Sequence, residues 1–165
     1  MKAIVTGASG FIGSSIFNLL VRSFGSENVI GTHFCNSISN TFFLDLTNNI
    51  LVKNFVEKYA DCELLVISHG IKDVGLCEKN KSIAYEVNVI STINLIKEVQ
   101  KINPRIHIIF ISSNYIFDGL RGEYEEYEKG NPSTYYGKTK LLVENFLRSK
   151  VSNWTIVRTS SVIGL

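Results

Sequence analysis

The sequence predicts an α/β protein, a doubly wound, mostly parallel sheet with helices on both faces. Three observations predict it. Short β-branched apolar runs alternate along the chain with longer stretches whose apolar residues recur at three- and four-residue spacing. The runs NVIGT, LLVIS, HIIFIS and WTIVRTS are apolar at nearly every position, as strands are when helices cover both sides of a sheet; a half-exposed ribbon would alternate. With 165 residues, 45% of them hydrophobic and 19% charged, the chain has apolar material for one compact domain over residues 1–165 and no length for a second.

The elements follow in order. Strands are expected at residues 2–6, 28–32, 64–68, 106–111 and 154–159. The first helix runs from Phe11 to Phe24, with Ile12, Ile16, Leu19 and Leu20 on one stripe. The second, Asn48 to Lys58, begins at a Thr47 or Asn48 cap. The third and longest, Ile83 to Lys101, carries Val87, Ile90, Ile93, Leu95 and Ile96. The last, Tyr135 to Arg148, follows an irregular stretch from Asp118 to Ser133 that is rich in charge and glycine and contains Pro132, the composition of a surface loop. Each helix lies between two strands, and right-handed crossovers wind such a chain into a nucleotide-binding type of sheet.

Composition also excludes functions. Seventeen basic residues against fifteen acidic ones give a net charge of +2, and no run of five like charges occurs, so neither a nucleic acid nor an anionic membrane has an electrostatic footing. The start MKAIVTGASG lacks the apolar core of a signal peptide, and no stretch approaches the roughly 18 apolar residues of a membrane span. A cytoplasmic location is the expectation. Cys35, Cys62 and Cys77 are too far apart for a zinc motif and odd in number, which points to three reduced thiols and no metal site.

Chemistry enters with Thr6-Gly7-Ala8-Ser9-Gly10-Phe11-Ile12-Gly13, which joins the first strand to the first helix. In a Rossmann-type sheet, Gly7 permits the tight turn, Gly10 lets the backbone approach a pyrophosphate, and Gly13 lets the helix pack on the strand. Ser9, Phe11 and Ile12 are then candidate contacts, because the free N–H groups of the helix start favour an anion. The spacing is GxxGxxG rather than GxGxxG, and its position between strand and helix carries the reading. After the second strand, Gly31-Thr32-His33-Phe34-Cys35-Asn36-Ser37 holds no carboxylate to take the ribose hydroxyl of NAD(H), so NADP(H) is favoured and NAD(H) stays open. His33, Asn36 and Ser37 are candidate phosphate contacts. Asp45 is placed either to take the adenine amino group, with the Leu46 backbone on the ring edge, or as a helix N-terminal acid.

Tyr136 and Lys140 are four apart at the start of the last helix and share a face. A nearby cation favours the phenolate and brings a tyrosine toward useful acid–base chemistry. Ser112 and Ser113 end the strand HIIFIS, where ligands of open α/β sheets sit, and a hydroxyl there can hold a substrate carbonyl. A bare YxxxK is frequent by chance; the glycine turn and the serine in the right order give it weight.

These residues resemble the extended short-chain dehydrogenase/reductase superfamily: TGASGFIG, the strand-ending serine, Tyr136-Gly137-Lys138-Thr139-Lys140 and Val157-Arg158-Thr159. Asp45-Leu46-Thr47, Cys77-Glu78, Glu86-Val87-Asn88 and Ile111 to Gly119 are similar to the dTDP-4-dehydrorhamnose reductase branch, whose motif after this strand usually reads STDYVFDG. The resemblance implies Ser113 as the carbonyl-polarising residue, Tyr136 as general acid, Lys140 holding the nicotinamide ribose, and Asn88 as the structural or proton-relay asparagine. It implies reduction of a 4-keto nucleotide sugar in surface polysaccharide synthesis. A retained-NAD epimerase or dehydratase, or a non-catalytic dinucleotide-binding module, is the alternative. It allows a homodimer through the third and last helices.

Two departures bear on the site. Where the branch usually has Asn-Ala-Ala after the strand at residues 64–68, this chain has Ser68-His69-Gly70, so that His69 either reaches the cofactor or is a tolerated variant. Asn114 replaces the usual Asp. Members of the branch are about twice as long, so residues 1–165 are expected to be the N-terminal part of a longer enzyme, with most of the sugar pocket absent.

Overall fold

The computed structural model describes residues 1–59 and 61–163; Gly164 and Leu165, the last of the apolar terminal segment, lie outside them. The strands are β1 (Ala3–Thr6), β2 (Val29–His33), β3 (Thr41–Phe43), β4 (Leu64–Ile67), β5 (His107–Ser113) and β6 (Trp154–Thr159). The principal helices are α1 (Phe11–Phe24), α2 (Asn49–Lys58), α3 (Val74–Lys79), α4 (Lys81–Tyr85), α5 (Ser91–Ile102) and α6 (Tyr135–Lys150). All six strands pair in parallel in the order β3-β2-β1-β4-β5-β6. The chain reverses direction across the sheet between β1 and β4, and this is the switch point at which such sheets bind ligands.

Successive strand residues feed two cores. Ile4, Leu65, Ile67, Ile108 and Phe110 point to one face, where α2, α5 and α6 cover them with Val52, Phe55, Leu95, Ile96, Val143 and Leu147. Ala3, Val5, Leu64, Val66 and Ile111 point to the other, against Phe17, Ile12, Ile16 and Leu20 of α1. Both faces are thus buried along the central strands, which is why their sequences are continuously apolar. Over β6 the second face is open, and Val157 is 38% exposed.

Two elements differ from expectation. β3 is an edge strand of three residues whose Phe42 and Phe43 are exposed, too short and too polar in context to register as a strand. The long helix expected from Ile83 is a run of α4, a π-helical turn at Glu86–Ile90 and α5, and α3 precedes it. Asp73 caps α3 by accepting from the Leu76 N–H, and a one-turn helix of this kind has no periodicity to read. Elsewhere the expected caps are present: the Asn48 carboxamide accepts from the N–H groups of Ile50 and Leu51 at 3.1 and 3.2 Å. Among the described residues no helix is long and apolar enough to cross a membrane.

Candidate active site

Parallel strands put all their C-terminal ends on one edge of the sheet, and along that edge lies a cavity of about 1240 Å³. The glycine turn is one of its borders. Gly7 has φ +69°, a left-handed conformation, and a Cβ on it would lie 2.8 Å from the His69 backbone. A Cβ on Gly13 would collide with the Gly7 carbonyl and the Ser68 hydroxyl, so the start of α1 is drawn onto the turn as its glycine allows. Gly10 is the N-cap and no side chain caps the helix, which leaves the first N–H groups facing the cavity without a protein partner from a capping side chain. Gly7, Ser9, Gly10, Phe11, Ile12 and Gly13 all line it.

The end of β4 is locked from below. The Ser68 hydroxyl donates to the Thr6 carbonyl at 2.6 Å. The His69 ring is bonded on both nitrogens, Nδ1 to the Thr6 hydroxyl at 2.8 Å and Nε2 to the Thr92 hydroxyl at 3.0 Å, so it ties β1 to α5. Burial, with the Lys140 charge adding to it, pushes the imidazole down to about 3, and the ring is neutral. Ser68, His69 and Gly70 line the cavity.

Of the two places implied for Asn88, its contacts are those of the structural one. It is buried, does not line the cavity, and clamps Ile71, accepting from its N–H at 2.7 Å and donating to its carbonyl at 3.0 Å. The same amide donates to the Thr139 hydroxyl at 3.2 Å, and Thr139 donates to the Tyr136 carbonyl at 2.7 Å. Asn88 therefore holds the backbone on which the site is built, and the π-helical turn is what carries it. His33 is not on the cavity wall. Its ring is bonded through Nδ1 to the Thr41 hydroxyl at 2.8 Å and lies off the cavity, whereas Asn36, Asp45 and Leu46 line it. The Asp45 carboxylate accepts from the N–H and hydroxyl of Thr47 at 2.9 and 2.7 Å.

Ser113, Tyr136 and Lys140 meet at the same cavity. Thr134 caps α6 by accepting from the Gly137 N–H at 3.0 Å, and Glu78 of α3 accepts from the Tyr135 N–H, so two groups fix where the Tyr136 turn begins. Burial raises the Tyr136 phenol above its ordinary value, and the Ser113 hydroxyl beside it works the other way. This is opposite to the direction expected from the YxxxK spacing, and burial is its leading cause. Lys140 lies with Nζ 5.8 Å from the Tyr136 ring centroid and donates to the Ile111 carbonyl at 3.1 Å. Burial pulls its ammonium down to about 8, against the raising effect of Cys77 and Glu144.

Three site-building residues carry little sequence signal. A Cβ on Gly137 would collide with the Tyr115 carbonyl oxygen, so glycine there lets α6 close on the turn after β5; the one readable sign was a glycine inside a first helical turn. Tyr115 lines the cavity and meets Tyr136 edge-on at 5.9 Å. Glu144 is fully buried one turn beyond Lys140 and accepts from the Ser112 hydroxyl at 2.6 Å and from Arg158 Nε and a terminal nitrogen at 3.1 and 2.8 Å. Arg158 also donates to the Glu126 carbonyl at 3.0 Å, which fastens the 118–133 loop to β6.

Comparison with known proteins matches residues 1–165 to the family described as the RmlD substrate binding domain. The chain belongs to this dTDP-4-dehydrorhamnose reductase-like branch of the extended short-chain dehydrogenases/reductases. It is 29% identical over 164 residues to dTDP-4-dehydrorhamnose reductase of Aggregatibacter actinomycetemcomitans, covering 99% of this chain and 52% of that one. To methionine adenosyltransferase 2 subunit beta of Xenopus tropicalis it is 25% identical over 163 residues, covering 99% and 47%. The crystal structure of dTDP-4-dehydrorhamnose reductase from Bacillus anthracis in complex with NADP superposes with a TM-score of 0.79 at 27% identity, over 97% of this chain and 54% of that one. The chain spans about half the length of the curated relatives it matches.

Proposed function

We propose that this chain is the cofactor-binding part of a reductase that converts a 4-keto nucleotide sugar to its alcohol, using NADP(H) in preference to NAD(H). The observation that carries the reading is the convergence of Ser113, Tyr136 and Lys140 on the cavity that the glycine turn borders. The residues present fit a dinucleotide: the turn is free of side-chain bulk where a pyrophosphate needs backbone, and the helix start above it has no side-chain cap. Gly7, Ser9, Gly10, Phe11, Ile12 and Gly13 would hold the pyrophosphate, Asn36, Asp45 and Leu46 the adenosine end, Ser68, His69 and Gly70 the middle, and Tyr136 and Lys140 the nicotinamide ribose. When bound, the cofactor supplies a hydride.

The chain's own residues supply the proton. A carbonyl that accepts a hydride becomes an alkoxide and needs an acid within hydrogen-bond reach. Tyr136, its phenol raised by burial, keeps its proton at neutral pH and gives it to that oxygen. The Ser113 hydroxyl polarises the same carbonyl, and the nearby Lys140 ammonium stabilises the phenolate that remains. In the intact enzyme Tyr136→Phe is expected to lower turnover by about 10²- to 10⁴-fold while cofactor affinity, measured by calorimetry, stays within a factor of a few. Unchanged turnover would sink the assignment.

Similarity to methionine adenosyltransferase 2 subunit beta favours a second reading, a subunit that binds a dinucleotide and works by association. Under it the chain binds the cofactor and Tyr136→Phe changes no measurable reaction.

A further inference from the structure

Helix α3 is the element that the proposed chemistry leaves unused. Its six residues are too few to hold a helix by themselves, yet both of its ends are fastened. The Asp73 carboxylate accepts from the Leu76 N–H at 2.7 Å, and the buried Cys77 thiol donates to the Ile71 carbonyl at 3.6 Å. Ile71 lines the cavity and its backbone is clamped by Asn88, so α3 is anchored to the cavity wall after β4. The residue that follows Cys77 reaches away from that wall: the Glu78 carboxylate accepts from the Tyr135 N–H at 2.5 Å, across 57 residues of chain.

Tyr135 is the first residue of α6, and its N–H is among those that a helix start leaves without an intrahelical partner. Thr134 takes the N–H of Gly137, and Glu78 takes that of Tyr135. A carboxylate is suited to this place, because a sixteen-residue helix presents the positive end of its dipole there. The Tyr135 N–H is the leading reason that the Glu78 carboxyl lies below its ordinary range, so it is ionised at neutral pH. Lys81 pairs with the second Glu78 oxygen at 3.5 Å and lies over the Tyr135 ring at 5.6 Å, but both charges are exposed and such a pair holds little. Glu78 and Tyr135 are off the cavity; Tyr136, the next residue, is on it.

We propose that Glu78 is a positioning residue for Tyr136, and that through the Tyr135 N–H it sets the first turn of α6 so that the phenol meets the Ser113 hydroxyl. Helix α3 is then a brace between the cavity wall after β4 and the proton donor. The inference rests on the reading of Tyr136 as general acid.

The phenol reports its own position. Ser113 of β5, Tyr115 beyond it, Cys77 of α3 and Lys140 of α6 face it, and burial is the leading cause of its raised value; Glu78 itself faces Lys81 and Lys138. Carbon-13 NMR of the 165-residue chain follows the titration of the Tyr136 Cζ signal, assigned by its loss in Tyr136→Phe, and needs no substrate. Glu78→Ala is expected to bring the midpoint down toward that of an exposed tyrosine, as the phenol leaves its buried place, while NADPH affinity by calorimetry stays within a factor of a few. Glu78→Gln, which keeps an acceptor and removes the charge, and Lys81→Ala, which removes the ion pair and keeps the bond, leave the midpoint at the wild-type value. If the alanine variant does not fold, Glu78→Asp, too short to reach the Tyr135 N–H, takes its place with the same expected shift. In the intact enzyme Glu78→Ala lowers kcat on the order of 10- to 100-fold with little change in KM, and glutamine restores it. An unmoved midpoint in the alanine or aspartate variant would overturn the proposal. So would a glutamine variant that shifts as far as alanine, since charge and not position would then be acting. A midpoint that shifts as expected in an enzyme whose turnover is insensitive to Tyr136→Phe supports the brace and overturns the reading of Tyr136 as the acid.

Discussion

His69 shows how one residue couples the site to the stability of the whole chain. Its folded value of about 3 lies below the ordinary 6.5 because the ring is buried between two threonine hydroxyls and near Lys140. As pH falls from 6.5 toward 3, the unfolded chain takes up a proton that the folded ring refuses, so stability contributed by His69 is present above 6.5 and lost as pH falls through about 3. His69→Asn is expected to show a shallower decline of unfolding free energy over that window, measured by denaturant titration at stepped pH. Parallel curves for the two proteins would mean that the imidazole is not held neutral. The sequence singled out His69 as a departure, but its two ring partners, Thr6 on β1 and Thr92 on α5, come from distant parts of the chain.

Helix α6 positions the site because of what it packs against at both ends. Gly137 allows its first turn to touch the Tyr115 carbonyl, and Gly137→Ala forces the helix or the turn to move. That variant is expected to lose about 1–3 kcal/mol of stability and, by separating Tyr136 from Ser113, to lower turnover in the intact enzyme more than it weakens cofactor binding. A drop in melting temperature with unchanged turnover would remove the positional role. Farther along, Glu144 is a buried carboxylate whose oxygens are taken by Ser112 and Arg158. Glu144→Ala leaves the Arg158 guanidinium without its partner, at a cost of about 3–5 kcal/mol. Glu144→Gln keeps the acceptor toward Ser112 and should cost distinctly less; equal losses by thermal melting would argue that the carboxylate charge, not the hydrogen-bond pattern, holds α6.

At the scale of the molecule, the strand order leaves a cleft at the switch point between β1 and β4, and a dinucleotide there would contact the ends of four strands at once. A ligand that binds only the folded chain stabilises it by about 2.7 kcal/mol at a hundred times its dissociation constant. For a chain of this size that corresponds to a rise of roughly 5–10 °C in melting temperature, measurable with NADPH by scanning calorimetry. A melting temperature indifferent to either cofactor would remove the cofactor reading.

What the sequence determined by itself was local and periodic. The alternation of apolar runs with helical stripes specified a parallel α/β sheet, and the bounds of α1 and the Asn48 cap were readable because each depends on residues within one or two turns. The glycine turn and the Tyr136–Lys140 spacing were legible for the same reason. Tertiary structure decided the rest. β3 exists because Thr41–Phe43 meets β2, not because three residues prefer to be a strand. His33 turns to Thr41 and Asn88 to Ile71, and neither direction follows from the residue's place in the chain. The raised phenol of Tyr136 and the burial of Glu144 are sums over neighbours brought together from β5, β6 and α6. Spacing along a chain fixes which side chains share a face, whereas desolvation and hydrogen-bond partners depend on what the opposite element places against that face.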